Sequence, residues 1–341
     1  MTSSILVDLA ALLLVFSLTM YVILDGFDLG VGILLAVGHT QEERDQMIEA
    51  VEPVWDGNET WLIMTALALW AAFPIAYGTL LPAFYVPLIG MLMCLGLRGV
   101  SFEFRESAHT RTGWDAAFWV GSAGAAFLQG TVLGGLMSGV HVAMTLEGGV
   151  TRYAFFGGPL DFLSWSSCLC GVLTVAGYSV LGSAWLRGKM DGALWHRGAT
   201  HHRIAVVAFA VMLVAAVACC AIGNVALREA FLQRSGGVLA SLALAAGAIL
   251  ISLRGSGQGA RDWSYTWSAV AVVFVFGGIA CLLWPQIVPF AITFEQASAP
   301  ASSILFVLIG AAVVVPVILA YTGMAYWIFR GRVDVHEAVQ S

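Results

Sequence analysis

Four acidic residues lie in or beside apolar segments, as two pairs with the same spacing. Asp25 and Asp28 interrupt the apolar stretch YVILDGFDLGVGILLAV, and Asp56 and Glu59 follow in VWDGNETWL. Because each pair is spaced i, i+3, both of its carboxylates point to nearly the same side of a helix. A carboxylate inside a bilayer costs at least ~2.5–3.5 kcal/mol on insertion scales, so each pair needs protein partners or water. Carboxylates in this setting are typical of proton or cation transfer.

Three interpretations of these carboxylates are open. They could be interfacial residues at helix ends, with Asp56 and Asn58 capping the second segment. They could instead form a buried ionic cluster that sets helix register, with compensating charge from Arg98 in LGLRGVSFEFR. The third interpretation is a water-filled proton or cation path. The sequence does not choose between the last two.

Ligands for a haem or a metal ion are not evident in the apolar segments. The histidines lie mostly at predicted helix ends or in loops, and His141 is the one nearest a helix interior. The six cysteines show no CxxC or Cys/His spacing. No nucleotide-binding or Ser/His/Asp motif occurs in a plausible context. We therefore predict no catalytic residue, no metal site and no cofactor site in this chain.

The elements that must position the carboxylates are membrane helices. Hydrophobic residues make up 60% of the chain and charged residues 11%, whereas a soluble domain carries roughly 25% charged residues. Long apolar runs predict an all-α polytopic protein, because lipid offers no partners for an irregular backbone. No basic run suggests nucleic acid. We predict one integral membrane domain, residues 1–341, with approximate halves 1–143 and 160–330. The predicted helices span 5–38, 46–73, 76–104, 115–143, 160–187, 201–228, 236–254, 264–284 and 302–330.

The second predicted helix is the ambiguous one. Its apolar part, residues 61–73, is short, so the segment is either a full crossing or a re-entrant one. With nine crossings and an outer N-terminus, Arg152, Arg228 and Arg234 lie outside and the other twelve Lys and Arg residues lie inside. This bias predicts a cytoplasmic C-terminus. It does not decide between eight and nine helices, because losing the second crossing moves only the N-terminus and Arg44.

Small residues accompany the first carboxylate pair. Gly26, Gly30 and Gly32 lie beside Asp25 and Asp28 on the first predicted helix. Small residues at four-residue spacing allow another helix to approach closely. The pattern predicts a tight helix-packing surface at these glycines.

Three motifs together resemble subunit II of the cytochrome bd-type quinol oxidases. They are LDGFDLGVG (24–32), VWDGNETWLI (54–63) and FYVPL…LRGVSFEFR (84–105), and the short loops resemble the cyanide-insensitive branch. The resemblance implies a respiratory complex of the bacterial inner membrane that oxidises quinol and reduces dioxygen to water. Its haem-bearing subunit I would carry two b-type haems, a d-type or substituted b-type haem and the quinol site. This chain would bind no haem, and a small accessory subunit, lipids and quinone would be further partners.

The resemblance also implies a fold and a role for the carboxylates. The fold would be two four-helix bundles plus one peripheral helix. Asp25 and Asp28, with Asp56 nearby, would sit at the contact with subunit I and support a hydrated proton route to the oxygen-reducing haem. Two alternatives remain. One is a secondary transporter that couples H⁺ or Na⁺ to the carboxylates, with prolines breaking its helices. The other is an assembly subunit without any transport role.

Overall fold

The computed structural model describes residues 2–147, 150–190, 192–254 and 262–332, and it is almost entirely helical. A 3₁₀ turn, Leu35–Val37, extends the first helix. Two small antiparallel hairpins pair β1 (Val142–Glu147) with β2 (Val150–Phe155), and β3 (Gln286–Val288) with β4 (Ile292–Thr293). The helices are α1 (Thr2–Leu34), α2 (Gln41–Glu49), α3 (Trp55–Ala72), α4 (Pro74–Glu106), α5 (Thr112–Ser138), α6 (Trp165–Lys189), α7 (Gly192–Gly223), α8 (Val225–Arg254), α9 (Ser264–Leu283), α10 (Phe294–Ala297) and α11 (Ala301–Ile328).

The long helices form two bundles and one peripheral helix. Helices α1, α3, α4 and α5 pack together, and α6, α7, α8 and α9 form the second group. Helix α6 also packs along α1 and α5 and so joins the two bundles. Helix α11 lies outside both and contacts α1 and α3. This is the arrangement that the family resemblance implies.

The number of crossings depends on α3. Within the described residues, eight helices are long and apolar enough to cross a membrane, and α3 is not among them. Its first turns carry Asp56, Asn58 and Glu59, which lower its mean hydropathy. Yet α3 begins beside α2, and Ala72 near its end packs in one core cluster with Val7. Helix α3 therefore runs antiparallel to α1 between the two ends of the bundle, which favours nine crossings over a re-entrant segment.

The boundaries differ from the predicted ones where helices leave the apolar region. The predicted span 46–73 is divided into α2 and α3 by turns at residues 50–54, and α5 ends before Gly139, whose φ is +92°. Helices α7 and α8 begin well before the predicted 201 and 236. Arg234, near the predicted start of α8, marks a break in its helical backbone geometry (φ −120°, ψ 16°). Outside the hydrocarbon, a helix can continue through polar residues, so apolar runs understate its length.

Helix α2 is tied to both bundles by ion pairs, at what we call the α2 end of the molecule. Thr40 caps the helix by accepting a hydrogen bond from the Glu43 backbone N–H. Arg111 on the α4–α5 turn pairs with Asp45 at 2.7 Å. Arg197 on α7 donates to Glu43 from both of its terminal nitrogens. The opposite end, which carries the β1–β2 hairpin, we call the hairpin end.

Candidate functional site

The first carboxylate pair is buried by the chain's own helices. Asp25 and Asp28 on α1 are 0% and 1% exposed. Arg98 on α4, also 0% exposed, donates from Nη1 to Asp25 Oδ1 at 2.7 Å. The second terminal nitrogen of Arg98 donates to Glu59 Oε1 on α3. One guanidinium therefore joins carboxylates from two different helices, and we call Asp25, Asp28, Glu59 and Arg98 the ionic cluster.

Asp28 has a neutral partner rather than a charged one. Asn58 Nδ2 donates to Asp28 Oδ2 at 2.7 Å and to the Leu24 carbonyl at 3.4 Å. The interpretation in which Asn58 caps α3 is therefore wrong. The N-cap position is Val54, which makes no side-chain cap, and the Asn58 side chain points away from its own helix end to α1. The amide is buried because it satisfies polar groups of a neighbouring helix.

The ionic cluster contains more negative than positive groups. Three carboxylates surround one guanidinium, so the fully ionised cluster carries a net charge of −2. Asp25 Oδ2, Asp28 Oδ1 and Arg98 Nε are buried without a hydrogen-bond partner. Buried polar atoms and unbalanced charge are costly in a low dielectric unless protons or ordered water relieve them. Protonation of a carboxylate or an ordered water would lower this cost.

The second carboxylate pair is divided between the interior and the surface. The side chain of Glu59 is 27% exposed, and Asp56 is exposed on α3. The second pair is thus split, because Glu59 shares Arg98 with Asp25 whereas Asp56 is exposed on another side of α3. The expected placement of Asp25 and Asp28 at a subunit contact is also wrong, since both are buried inside this chain. Only the second pair reaches the surface.

Aromatic and polar side chains surround the cluster. Trp55 stacks on Phe102 with 4.8 Å between ring centroids, and the Arg98 guanidinium lies 5.8 Å from the Trp55 centroid. One turn before Asp25, Tyr21 accepts a hydrogen bond from Gln129 at 2.7 Å. Tyr178 in turn donates to Gln129 at 2.6 Å. This second polar chain links α1, α5 and α6 beside the cluster.

The three predicted packing glycines lie at close helix contacts. A Cβ on Gly30 would lie 1.9 Å from the Tyr178 carbonyl oxygen of α6, and one on Gly26 would lie 2.8 Å from the Tyr178 ring. A Cβ on Gly32 would lie 2.0 Å from Ser122 Oγ on α5. The glycines thus bring α1 against α6 and α5 within this chain, which seats Asp25 and Asp28 deep in the bundle.

Some residues of the site were not predicted from sequence. Asn58 was considered only as a cap. Gln129, and Tyr326, whose hydroxyl donates to Asn58 Oδ1, had no local signal at all. His141 is not near a helix interior, because α5 ends before it and its side chain is 76% exposed. Across the described ranges, no group of three or more His, Cys, Asp or Glu side chains is arranged to hold a metal ion. The absence of haem from this chain stays a prediction.

The long apolar helices and the buried, acid-rich ionic cluster together define a polytopic membrane protein with ionisable groups inside its bundle. The family model for cytochrome bd terminal oxidase subunit II matches residues 6–329, and the chain belongs to this family. It is therefore a subunit of a quinol-oxidising, oxygen-reducing respiratory enzyme.

Several relatives agree with this assignment. The chain is 27% identical over 361 residues to the cytochrome bd-I ubiquinol oxidase subunit 2 of Escherichia coli K12, covering 93% of this chain and 92% of that protein. It is 28% identical over 330 residues to the cytochrome bd ubiquinol oxidase subunit 2 of Bacillus subtilis, covering 92% and 93%. A probable cytochrome oxidase subunit 2 of Haemophilus influenzae is 34% identical over 209 residues, 60% of this chain and 53% of that protein.

A solved structure shares the fold. The bd oxidase from Geobacillus thermodenitrificans contains a chain that superposes with a TM-score of 0.76 at 16% identity, covering 95% of this chain and 98% of that one. At this identity the likeness concerns the fold alone.

Proposed function

We propose that this chain stabilises a haem-bearing subunit I and supports proton delivery to its oxygen-reducing site through the ionic cluster. The observation that carries the proposal is the buried cluster of three carboxylates and one guanidinium, which reaches the surface at Glu59. Intramembrane ionisable groups are typical of proton routes. Reduction of dioxygen to water consumes protons, so the partner's active site needs such a supply.

The surface around Asp56 and Glu59 is the proposed contact with subunit I. Asp56 is exposed two residues before Asn58, which bonds the buried Asp28, so it lies near the depth of the cluster. A carboxylate at that depth is unfavourable in contact with lipid. A partner protein covering this side of α3 would remove that cost and extend the route from Glu59 outward.

The remaining features of the proposal concern cofactors and orientation. The haems and the quinol site would belong to subunit I, and a small accessory subunit, lipids and quinone would be further partners in a bacterial inner membrane. In the described part of the chain, Arg152, Arg228 and Arg234 lie at the hairpin end, whereas the other Lys and Arg residues lie towards the α2 end. The positive-inside rule then makes the α2 end cytoplasmic. Both Met1 and Ser341 lie outside the described residues.

The transporter alternative finds little support in the shape of α4. This helix is interrupted at Phe84, between Pro82 and Pro87, where the backbone is non-helical (φ −121°, ψ 17°). In transporters with broken helices, the break itself forms the ion site. Here Arg98 lies about 20 Å further along α4, at 1.5 Å per residue. The break and the ionic cluster are therefore separate.

The test is to remove single carboxylates from the purified complex. We expect Asp25→Asn to leave subunit I bound with normal haem content and to lower quinol-driven oxygen consumption per haem. Asp8→Asn is the matched control, because Asp8 is an exposed carboxylate on the same helix near the hairpin end. Loss of assembled complex with normal turnover per remaining haem would instead show a purely structural role. Full assembly and full turnover in an Asp25→Asn, Glu59→Gln double variant would refute the proposal.

A further inference from the structure

The peripheral helix α11 sends one polar side chain to the site. Most of α11 is exposed, and Ile304 is its buried residue. Near its end, however, the Tyr326 hydroxyl donates to Asn58 Oδ1 at 3.0 Å. The Tyr326 ring lies between α1 and α6, with its centroid 6.3 Å from that of Phe27 and 5.7 Å from that of Trp185. Tyr326 thus connects the outermost helix to the residue that binds Asp28.

The end of α11 is fixed next to Tyr326 by a second contact. Lys189, the last residue of α6, donates from Nζ to the carbonyl oxygens of Phe329 and Gly331, the latter at 3.1 Å. A cation at the carboxyl end of a helix satisfies carbonyls that have no partner within the helix. The same ammonium lies 5.1 Å from the centroid of the Trp185 ring. The final turn of α11 is therefore held in place, and the Tyr326 hydroxyl with it.

The hydrogen bond from Tyr326 determines which way the Asn58 amide points. An asparagine side chain has a carbonyl oxygen that accepts and an NH₂ group that donates. With Tyr326 donating to Oδ1, the Asn58 Nδ2 group faces Asp28 Oδ2 at 2.7 Å and the Leu24 carbonyl. In the opposite orientation, Oδ1 would face the Asp28 carboxylate and Nδ2 would face a hydroxyl. Without the Tyr326 hydroxyl, Oδ1 becomes a buried acceptor with no partner and the amide loses one of the bonds that orient it.

We propose that Tyr326 is a positioning residue of the ionic cluster, which holds the Asn58 amide with its donor group toward Asp28. The inference rests on the proposed proton-delivery function and adds a residue and a helix to it. Proton exchange at Asp28 depends on a fixed donor at Oδ2. With Oδ2 occupied, Asp28 Oδ1 has no hydrogen-bond partner and is the oxygen that can exchange a proton. Helix α11 then contributes to turnover as well as to packing.

The test compares two tyrosine variants on the same helix in the purified two-subunit complex. Tyr326→Phe removes only the hydroxyl, and Tyr321→Phe makes the same change at an exposed tyrosine of α11. We expect Tyr326→Phe to retain normal haem content and quinol KM. Its turnover per haem should fall about fivefold, the effect of roughly one lost hydrogen bond, and the pH profile of turnover should be displaced. Tyr321→Phe should match the wild type in each measurement.

Two further variants separate the possible outcomes. If Tyr326 acts through Asn58, Tyr326→Phe adds no further loss in an Asn58→Ala background, and additive losses would overturn the inference. Wild-type turnover and pH profile in Tyr326→Phe, together with slow turnover in Asp28→Asn, would overturn the inference and leave the proposed function standing. Full turnover in Asp28→Asn would instead show that Asp28 takes no part in proton delivery. Loss of assembled complex with normal turnover per remaining haem would reduce Tyr326 to a structural contact.

Discussion

At the scale of single residues, Arg98 determines whether the cluster can exist. Its guanidinium is planar and has donors on several sides, so it can bind a carboxylate on α1 and another on α3 at once. A lysine ammonium has a more compact charge and cannot reproduce this geometry. Within the described residues, Arg98 is the cation that pairs with both Asp25 and Glu59.

We therefore expect Arg98→Leu to be far more damaging than the loss of any one acid. Removing one partner of a buried ion pair typically costs ~3–5 kcal/mol, because the other partner stays buried and uncompensated. The yield of assembled complex in membranes should fall sharply. Combining Arg98→Leu with Asp25→Asn and Glu59→Gln should restore part of that yield. Wild-type yield from Arg98→Leu alone would contradict this account of the cluster.

The sequence predicts the charged members of the cluster better than its neutral ones. A carboxylate in an apolar helix requires a partner, and Arg98 is the arginine that lies inside an apolar run, so the association of Asp25 with Arg98 can be anticipated. Asn58 and Tyr326 give no comparable signal, because neutral polar residues are common in membrane helices. The Tyr326 hydroxyl reaches Asn58 across 268 residues of sequence, and only the packing of α11 brings them together.

At the scale of helices, the contact between α1 and α6 depends on two glycines that face each other. A Cβ on Gly30 would overlap the backbone of Tyr178, and one on Gly182 would lie 2.3 Å from the Gly30 carbonyl carbon. These neighbours are backbone atoms, so they cannot move aside as a flexible side chain would. The two helices must separate to admit a methyl group.

We expect Gly30→Ala to destabilise the complex by about 1–3 kcal/mol, the usual cost of overpacking a filled core. Gly96→Ala on α4 is the control, because a Cβ there has no atom within 4 Å. Gly38→Ala should also be mild, since its nearest neighbour is the flexible Arg44 side chain at 2.9 Å. Thermal inactivation of the purified complex measures the difference. Equal midpoints for Gly30→Ala and Gly96→Ala would contradict the close contact.

Helix α2 offers a test by pH, because Glu43 lies outside the membrane-spanning segments. Partial burial raises the pKa of Glu43, but hydrogen bonds from the His39 backbone N–H and the Arg197 guanidinium outweigh it and hold that pKa below its ordinary value. A lowered pKa in the folded state stabilises α2 docking above the unfolded pKa of about 4.3. That stabilisation is lost as the pH falls through the lower folded pKa.

We expect the protection of α2 amides from hydrogen exchange, relative to their intrinsic rates at each pH, to fall as the wild-type complex is brought below about pH 4.3. Glu43→Gln should show faster exchange in α2 already at neutral pH and a weaker dependence on acid. Glu42→Gln is a suitable control, because the neighbouring Glu42 makes no described contact with α7. Identical exchange of α2 in the wild type and Glu43→Gln at neutral pH would show that the contact between Glu43 and Arg197 does not hold α2 in place.

The existence of the long helices follows from hydropathy, whereas their ends and the small elements do not. Apolar runs locate the hydrocarbon-spanning part of each helix, which is why eight of the predicted spans have a clear counterpart. The β1–β2 hairpin lies where a helix was predicted to end, and it pairs Met144 with Tyr153 in a region of mixed hydropathy. Its formation depends on packing of Val142 and Tyr153 against the core at the hairpin end, which no local pattern reveals.

At the scale of the whole molecule, the described long helices expose many large apolar side chains, whereas the first turns of α3 expose Asp56 and part of Glu59. Further along α3, the exposed side chains of Ile63 and Leu67 are apolar and suit contact with either lipid or protein. Asp56 and Glu59 on the first turns of the same helix suit only a polar neighbour. This contrast within one helix is the reason to place subunit I against it.

The last prediction concerns that surface. We expect Asp56→Arg to reduce the amount of subunit I that co-purifies with this chain, because a bulky cation would replace a carboxylate on the surface proposed to face that partner. Asp56→Asn keeps the shape and should assemble, so any effect it has on turnover reports on proton delivery rather than binding. Asp8→Arg is the control, since Asp8 is exposed on α1 near the hairpin end. Comparing membrane levels of this chain by immunoblot with the haem that co-purifies separates misfolding from lost binding. Full co-purification of haem with Asp56→Arg would mean that subunit I binds another side of the bundle.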